Sequence, residues 1–171
     1  MSLFDDDDGI PADRVRRAMP AFTVLLGTLL MALPIPLAFG AMPSLALLFV
    51  IIWSSLQPRL MPVWGAFLLG LFADLVSGLP LGIWALLFPV AAISVRLADA
   101  RAEGHSLVID WLFTGLLVLG AHVLAWQFLG FTGSAAPSGP LLAQAVITIL
   151  AYPLAATIAA RVQRRIIEPG F

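Results

Sequence analysis

Residues 65–86 read GAFLLGLFADLVSGLPLGIWAL, and this stretch decides the fold. Two apolar runs flank the segment Gly78-Leu79-Pro80-Leu81-Gly82, whose glycines and proline are typical of a tight turn. Both runs continue beyond the quoted stretch, so the sequence predicts two helices, at 61–78 and 81–98, joined by this turn. A single acidic residue, Asp74, interrupts the first run.

The composition of the whole chain places these helices in a membrane. Hydrophobic residues make up 61% of the sequence and charged residues 11%, and the mean hydropathy is +1.02. A soluble domain has roughly 45–50% apolar and about 25% charged residues. A globular core formed by 171 residues cannot hide this much apolar surface. We therefore expect an all-α integral membrane protein.

Four further apolar segments accompany the central pair. The predicted segments are 16–34, 41–57, 61–78, 81–98, 107–130 and 138–160. A membrane-spanning helix needs ~20 residues, within a range of ~17–25. The second segment is short, and the first ends in Pro34-Ile35-Pro36, which must break a helix. Segment length alone therefore leaves five or six spans open.

The arginines, which are the only Lys or Arg cations of the chain, favour six spans. They lie at the start of the first segment, between the second and third, at the end of the fourth or just after it, and after the sixth: Arg14, Arg16, Arg17, Arg59, Arg96, Arg101, Arg161, Arg164 and Arg165. With six spans all of them fall on one face of the membrane, and the opposite connections carry no charge. Because cytoplasmic loops carry the positive charge, we predict a multi-pass protein with both termini in the cytoplasm.

The rest of the chain predicts one domain with two short tails. Residues 1–14, which include Asp5-Asp6-Asp7-Asp8, are expected to form a disordered acidic cytoplasmic tail, since a signal peptide would begin with basic residues. Residues 15–165 are expected to form a single six-helix transmembrane domain, and residues 166–171 a second cytoplasmic tail. The chain has no cysteine, which excludes disulfides and thiolate metal sites, and its net charge of -1 argues against nucleic acid as a partner.

Asp74 is the most informative polar residue, because few polar side chains occur so deep in a predicted span. A charged Asp at the membrane centre costs ~2.5–3.5 kcal/mol, so this side chain should face protein rather than lipid. Ala66, Gly70 and Gly78 recur with it at a spacing of four residues. Such a stripe of small residues permits close helix packing, and we expect a neighbouring helix to supply a polar partner.

His122 is the first candidate for that partner. Asp74 and His122 both lie ~18–20 Å along helices predicted to run outward, so their depths agree. An imidazole can donate a hydrogen bond to a carboxylate or, when charged, form an ion pair with it. The other candidate partners are Gln127, Gln144, Thr148 and Tyr152.

Transport is the function class that these buried polar groups leave open. An intramembrane Asp–His pair can relay protons, and both residues would suit an outward-opening pocket for a small solute or lipid. A proton-driven carrier, however, usually shows more buried charge and repeated halves, which this sequence lacks. The sequence also has no phosphate-binding loop, metal-ligand spacing or nucleophile elbow, so we expect neither an enzyme nor a bound cofactor.

The stretch from Pro43 to Arg101 resembles the MreD family of rod shape-determining membrane proteins. The shared pattern is a helix with Gly, an Asp four residues later, and a Gly-x-Pro-Leu-Gly turn followed by Ala-Leu. In this sequence its members are Gly70, Asp74, Gly78, Pro80, Gly82, Ala85 and Leu86. The family often has His or Tyr where Trp84 stands, so the resemblance gives that position no chemical role.

The resemblance implies a non-enzymatic scaffold in the bacterial inner membrane. MreD-like proteins are understood to bind MreC and to act in cell elongation and lateral peptidoglycan synthesis. Their complex includes the actin-like MreB, the glycan polymerase RodA and a class B penicillin-binding transpeptidase, and membrane lipids surround it. The family also resembles the six-helix substrate-binding subunits of energy-coupling-factor vitamin transporters, so we expect that bundle here. A small-solute or lipid-binding transporter subunit remains the alternative.

Overall fold

The computed structural model describes residues 12–33, 42–101, 107–133 and 137–163, and this part of the chain forms six α-helices. They are α1 (Ala12–Ala32), α2 (Leu45–Leu56), α3 (Val63–Ser77), α4 (Ile83–Asp99), α5 (Leu107–Phe131) and α6 (Ser138–Val162). The all-helical prediction is confirmed, and each helix occupies its predicted segment to within a few residues. Most of the predicted acidic tail, and all of the predicted C-terminal tail, lie outside the described residues.

Two of the helices are long and apolar enough to cross a membrane by themselves. They are the stretches Val108–Phe131 and Ser138–Val162, within α5 and α6. Three shorter apolar stretches, Arg17–Ala32, Leu45–Leu56 and Val63–Ser77, belong to α1, α2 and α3. Six membrane crossings therefore stay a prediction.

Helix α2 forms the centre of the packed core. It packs against α1, α4 and α6, while α3 packs against α4 and α1, and α5 against α6 and α4. Eight of the 12 residues of α2 are buried, among them Leu47, Val50 and Trp53. An apolar helix that is buried on most sides has no polar face to give to water, which explains why α2 carries no charge.

Three long-range hydrogen bonds, one buried and two partly buried, join the helices to one another. The indole N–H of Trp53 donates to Thr23 Oγ1 (2.8 Å), which links α2 to α1. The backbone N–H of Ser44 donates to Thr148 Oγ1 (2.7 Å), which links the start of α2 to α6. The indole N–H of Trp111 donates to the carbonyl oxygen of Ile149 (2.9 Å), which links α5 to α6. Each bond satisfies a group that lipid or an apolar core could not satisfy.

Hydrogen bonds from Arg96 link the last turn of α4 to the connection between α2 and α3. Its guanidinium donates to the carbonyl oxygens of Pro58 (3.3 Å) and Met61. This contact brings Arg96 to the connection that carries Arg59. Two of the arginine-bearing segments therefore meet at the same end of the helical bundle.

Candidate functional site at the junction of helices α3 and α4

The side chain of Asp74 is completely buried, with 0% exposure, and accepts three hydrogen bonds from backbone N–H groups. Asp74 Oδ1 accepts from Trp84 N–H (2.9 Å), and Oδ2 accepts from Gly82 N–H (2.9 Å) and Ala85 N–H (3.2 Å). These donors lie at the beginning of α4. The acid of one helix thus caps the amino end of the next helix.

The local sequence explains why α4 needs a cap from outside. The first four N–H groups of a helix have no partner within it, and a side chain at the N-cap position usually accepts one or two of them. Here the N-cap residue is Gly82, which has no side chain. Asp74 takes over this task, and its carboxylate also lies where the helix dipole favours a negative charge.

Gly78 and Gly82 allow the chain to turn back sharply enough for this contact. Gly78 has a φ of +65°, and the N–H of Leu79 donates to the carbonyl oxygen of Asp74 (3.1 Å), a pattern typical of the Schellman helix end. Gly82 has a φ of +114°, a conformation that glycine adopts without the steric cost of a side chain. Pro80 lies between them in the turn, partly buried.

Gly70 lets the two helices approach at backbone distance. A Cβ atom at this position would overlap the carbonyl group of Trp84 and would lie 2.7 Å from the Cα atom of Ala85. Ala66 and Ala73, which share α3 with it, are buried as well. Gly70, a member of the predicted stripe of small residues, therefore lets α3 approach α4 closely enough for Asp74 to reach its N–H groups, whereas Gly78 at the end of the stripe is exposed.

His122 lies on α5 and is buried, with 2% exposure, but the structure describes no hydrogen bond between it and Asp74. Its Nδ1 atom lies 2.8 Å from the carbonyl oxygen of Val118. The imidazole meets the ring of Trp84 edge-on, with 5.9 Å between ring centroids. The hydrogen bonds described for Asp74 come from backbone groups, and Trp84 contacts both residues, Asp74 through its N–H and His122 through its ring.

The contacts described for the other candidate partners are with groups other than Asp74. Thr148 accepts the Ser44 N–H and donates to the carbonyl oxygen of Gln144 (2.6 Å). Tyr152 lines a cavity of about 280 Å³ between α2, α5 and α6. The sequence analysis assigned no role to Trp84. The glycine at position 82 nevertheless indicates that the start of α4 has no side-chain cap of its own.

The hydrogen bonds of this junction make Asp74 a cap for α4. All three hydrogen bonds to the Asp74 carboxylate come from backbone groups whose positions are fixed by α4. A general base or a proton carrier needs a lone pair that faces a substrate or a water path. The Asp74 side chain is 0% exposed, and Gly70 brings the backbone of α4 directly against α3.

Comparison with known proteins identifies the family of the chain. The family model described as rod shape-determining protein MreD matches residues 14–160, which is most of the chain. No curated protein and no solved structure matches the chain, so the expected likeness to energy-coupling-factor subunits stays a prediction. The matched region includes the whole junction, from Gly70 to Ala85. This protein is therefore a member of the MreD family of membrane proteins, whose role is in the determination of rod shape.

Proposed function

We propose that the chain is a non-enzymatic scaffold subunit of the bacterial cell-elongation machinery, which controls cell shape and lateral peptidoglycan synthesis. The observation that carries the proposal is the family match over residues 14–160. The chain binds MreC, and it meets MreB, RodA and a class B penicillin-binding transpeptidase directly or through MreC. Membrane lipids cover the remaining apolar surface.

The proposed topology has six crossings of the inner membrane, with both termini in the cytoplasm. It is supported by the arginine pattern, because six crossings collect every arginine on one face. The bond from Arg96 to the carbonyl oxygen of Pro58 supports it further, since two arginine-bearing connections meet at one end of the bundle. The capped turn at residues 78–82, which has no charge, lies at the other end of α3 and α4.

The short helix α2 is compatible with a crossing because protein surrounds it. Its 12 residues extend only ~18 Å, against a hydrocarbon thickness of ~30 Å. Irregular backbone at membrane depth is tolerated where it is buried in protein. Since α2 packs against α1, α4 and α6, its ends meet other helices, and the longer α5 and α6 supply full-length spans.

The proposed mode of partner binding is helix docking within the membrane. The turn at residues 78–82 is too short to offer a soluble interface, and α5 and α6 expose large apolar side chains along their length, for example Leu116 and Leu154. Helices associate in lipid through close packing and interhelical hydrogen bonds. The single membrane helix of MreC has the form that such faces accept.

The alternative, a small-solute or lipid-binding transporter subunit, depends on an outward-opening pocket lined by Asp74 and His122. Asp74 does not offer such a lining, because its side chain is buried and both its oxygens accept backbone hydrogen bonds. The neighbouring cavity, lined among others by Ala73, Ser77 and Trp84, has a volume of about 10 Å³. That volume holds about one water molecule. The scaffold is therefore the better-supported function.

Depletion of the chain in its native bacterium, combined with affinity purification in mild detergent, tests the proposal. We expect depleted cells to lose their elongated form and the tagged chain to recover MreC. An unrelated multi-pass inner-membrane protein with the same tag serves as the control for non-specific recovery. Normal cell shape together with no recovery of MreC above this control would refute the scaffold function.

A further inference from the structure

The cavity between α2, α5 and α6 combines a carboxylate with hydroxyl groups and aromatic rings. Its volume is about 280 Å³, close to the lower end of the ~300–1,000 Å³ that small-molecule sites usually measure. The polar residues of its lining are Ser55 on α2, Asp110 on α5, and Tyr152 and Thr157 on α6, and most of the remaining lining is apolar. Ser55 and Thr157 are exposed, so the cavity is open to the surroundings of the protein.

One wall of the cavity is held by a hydrogen bond that a proline makes necessary. Pro153 has no N–H group, so the carbonyl oxygen of Ile149, four residues earlier on α6, receives no hydrogen bond from the helix itself. The indole N–H of Trp111 donates to that oxygen (2.9 Å). Trp111 and Pro153 both line the cavity, so this contact between α5 and α6 fixes its aromatic wall.

The cavity lies at the end of the bundle that carries the arginines. Ser55 stands three residues before Pro58, whose carbonyl oxygen accepts a hydrogen bond from Arg96. Asp110 belongs to the first turn of α5, and Ala160, which also lines the cavity, stands two residues before the end of α6. In the proposed topology this end of the bundle meets the headgroup region of the cytoplasmic leaflet.

The chemistry of the lining is suited to an ammonium group. Asp110 supplies a negative charge, and a carboxylate has about four acceptor positions, so Asp110 can bind a ligand beside its contacts within the chain. The rings of Trp111 and Tyr152 add the aromatic faces that attract cations. The apolar residues of the lining, such as Ile52 and Ala156, favour a cation that is attached to an apolar body.

Arg161 adds a positive charge beside the cavity. It follows Thr157 by four residues, so the two residues share one face of α6, and its side chain is exposed. A carboxylate and a guanidinium at one site match a zwitterion, whose ammonium group binds the acid and whose phosphate binds the arginine. A lysine side chain of a partner protein would satisfy Asp110 but would give Arg161 no counterpart. A zwitterionic lipid headgroup satisfies both residues.

We propose that the cavity between α2, α5 and α6 binds the headgroup of an ammonium-bearing phospholipid, with the ammonium group at Asp110 and the phosphate at Arg161. Basic sites between membrane helices on the cytoplasmic side are known to bind lipid headgroups, and here the acid selects a headgroup that carries a cation. The inference rests on the proposed topology for the depth of the site, and it does not depend on MreC. A lipid in this position joins α2 to α5 and α6 at their cytoplasmic ends.

Native mass spectrometry of the full chain in detergent tests the selectivity of the site. The chain is titrated with phosphatidylethanolamine and with phosphatidylglycerol of identical acyl chains, which share the phosphate but differ in the ammonium group. We expect the unchanged chain to bind phosphatidylethanolamine about three- to tenfold more tightly. Equal affinities for the two lipids would overturn the proposal.

Substitutions separate the two charges of the proposed site. Asp110→Asn should bring the two affinities within about twofold of each other, and Arg161→Gln should weaken both lipids by a similar factor because both carry the phosphate. Asp99→Asn is the matched control, since Asp99 is an exposed acid at the same end of the bundle but does not line the cavity. A preference for phosphatidylethanolamine that survives Asp110→Asn would overturn the role of Asp110.

Photo-crosslinking locates the lipid on the chain with Asp110 in place. A benzoylphenylalanine is placed at Thr157, which is exposed and lines the cavity, and the chain is inserted into vesicles of equimolar phosphatidylethanolamine and phosphatidylglycerol. Leu154 is the control, since it is exposed on the same helix outside the lining. We expect adducts enriched in phosphatidylethanolamine at position 157 and adducts in the bulk ratio at position 154. The same ratio at both positions, or adducts to a second copy of the chain at position 157, would overturn the site.

Soluble phosphoethanolamine separates a lipid from a free headgroup as the ligand. We expect it not to displace the lipid at equal concentration, because it has no apolar body for the apolar lining to hold. Displacement at equal concentration would overturn the lipid as the ligand. These results are independent of MreC recovery, so failure of the lipid site leaves the scaffold function intact, and failure to recover MreC leaves the lipid site intact.

Discussion

The carboxylate of Asp74 lies 2.9 Å from the backbone nitrogen of Trp84, and this bond joins the last turn of α3 to the first turn of α4. Two further N–H groups, from Gly82 and Ala85, share the same carboxylate. The three bonds close a loop of about ten residues, so α3 and α4 are held as one hairpin. A fixed hairpin in the middle of the chain is suited to a scaffold, whose partners need a surface of constant shape.

Asp74→Asn is expected to weaken this hairpin and the whole bundle. The amide keeps one acceptor oxygen and turns an NH₂ group toward backbone donors, so at least one buried N–H loses its partner, at ~1–3 kcal/mol. For a chain of this size that corresponds to a fall in Tm of roughly 2–10 °C. Thermal unfolding in detergent measures the change. Asp99→Asn, at the exposed end of α4, is the matched control and should change Tm by less than about 1 °C.

Gly70→Ala is expected to destabilise the protein because the new methyl group meets the backbone of Trp84. Overpacking of this kind costs ~1–3 kcal/mol, and backbone atoms cannot rotate away as a side chain can. Gly120→Ala is the control, since nothing lies within 4 Å of a Cβ atom there. Alanine also favours the helix at that position. Equal Tm values for the two variants would contradict the close approach of α3 and α4.

Thr148→Val is expected to loosen the contact between α2 and α6. The substitution preserves shape but removes the hydroxyl that accepts the buried Ser44 N–H, at a cost of ~1–3 kcal/mol. Thr157→Val on the same helix removes a hydroxyl that bonds only to the carbonyl oxygen of Leu154, at an exposed site. Chemical or thermal unfolding of the two variants should therefore separate them, with Thr148→Val clearly the less stable.

The loss of stability caused by a substitution at Gly78 is expected to depend on how well the new residue adopts a positive φ. The position has φ +65° and open space around a Cβ atom, so backbone strain alone decides the effect. Asn tolerates this conformation, whereas a β-branched residue does not. Gly78→Asn should unfold at nearly the same Tm as the unchanged protein. In Gly78→Val the free energy of unfolding should be ~1–2 kcal/mol lower. The reverse order would show that the turn does not have the described geometry.

Much of the fold could be predicted from the sequence, because hydropathy decides helix positions in a chain this apolar. The apolar segments and the turn at residues 78–82 marked where helices begin and end. Helix positions are set by local composition and need no knowledge of packing. The small residues around Gly70 likewise predicted close helix packing before the packing partner was known.

The partner of Asp74 could not be predicted in the same way. Side-chain chemistry points to His122, because its predicted depth matches that of Asp74. The groups that donate hydrogen bonds to Asp74 are backbone N–H groups, which any sequence would supply. The signal that does point to them is the glycine at position 82. A helix that begins at a residue without a side chain needs its cap from elsewhere, and the nearest acid across the turn is Asp74.

The role of Trp84 was missed for a related reason. Its ring contacts His122 and Phe88, while its N–H belongs to the cap, so one residue serves two contacts through different atoms. A pattern of residue types does not distinguish backbone from side-chain roles. The backbone N–H of Trp84 can therefore form this hydrogen bond whatever side chain the position carries.

Backbone hydrogen exchange across residues 79–88 tests the central claim, that Asp74 is the cap of α4, most directly. With Asp74 in place we expect the amides of Gly82, Trp84 and Ala85 to be protected, and Asp74→Asn to speed their exchange at least tenfold, more than it speeds the exchange of the α5 amides. Unaltered exchange at these three amides in the Asn variant would contradict the claim.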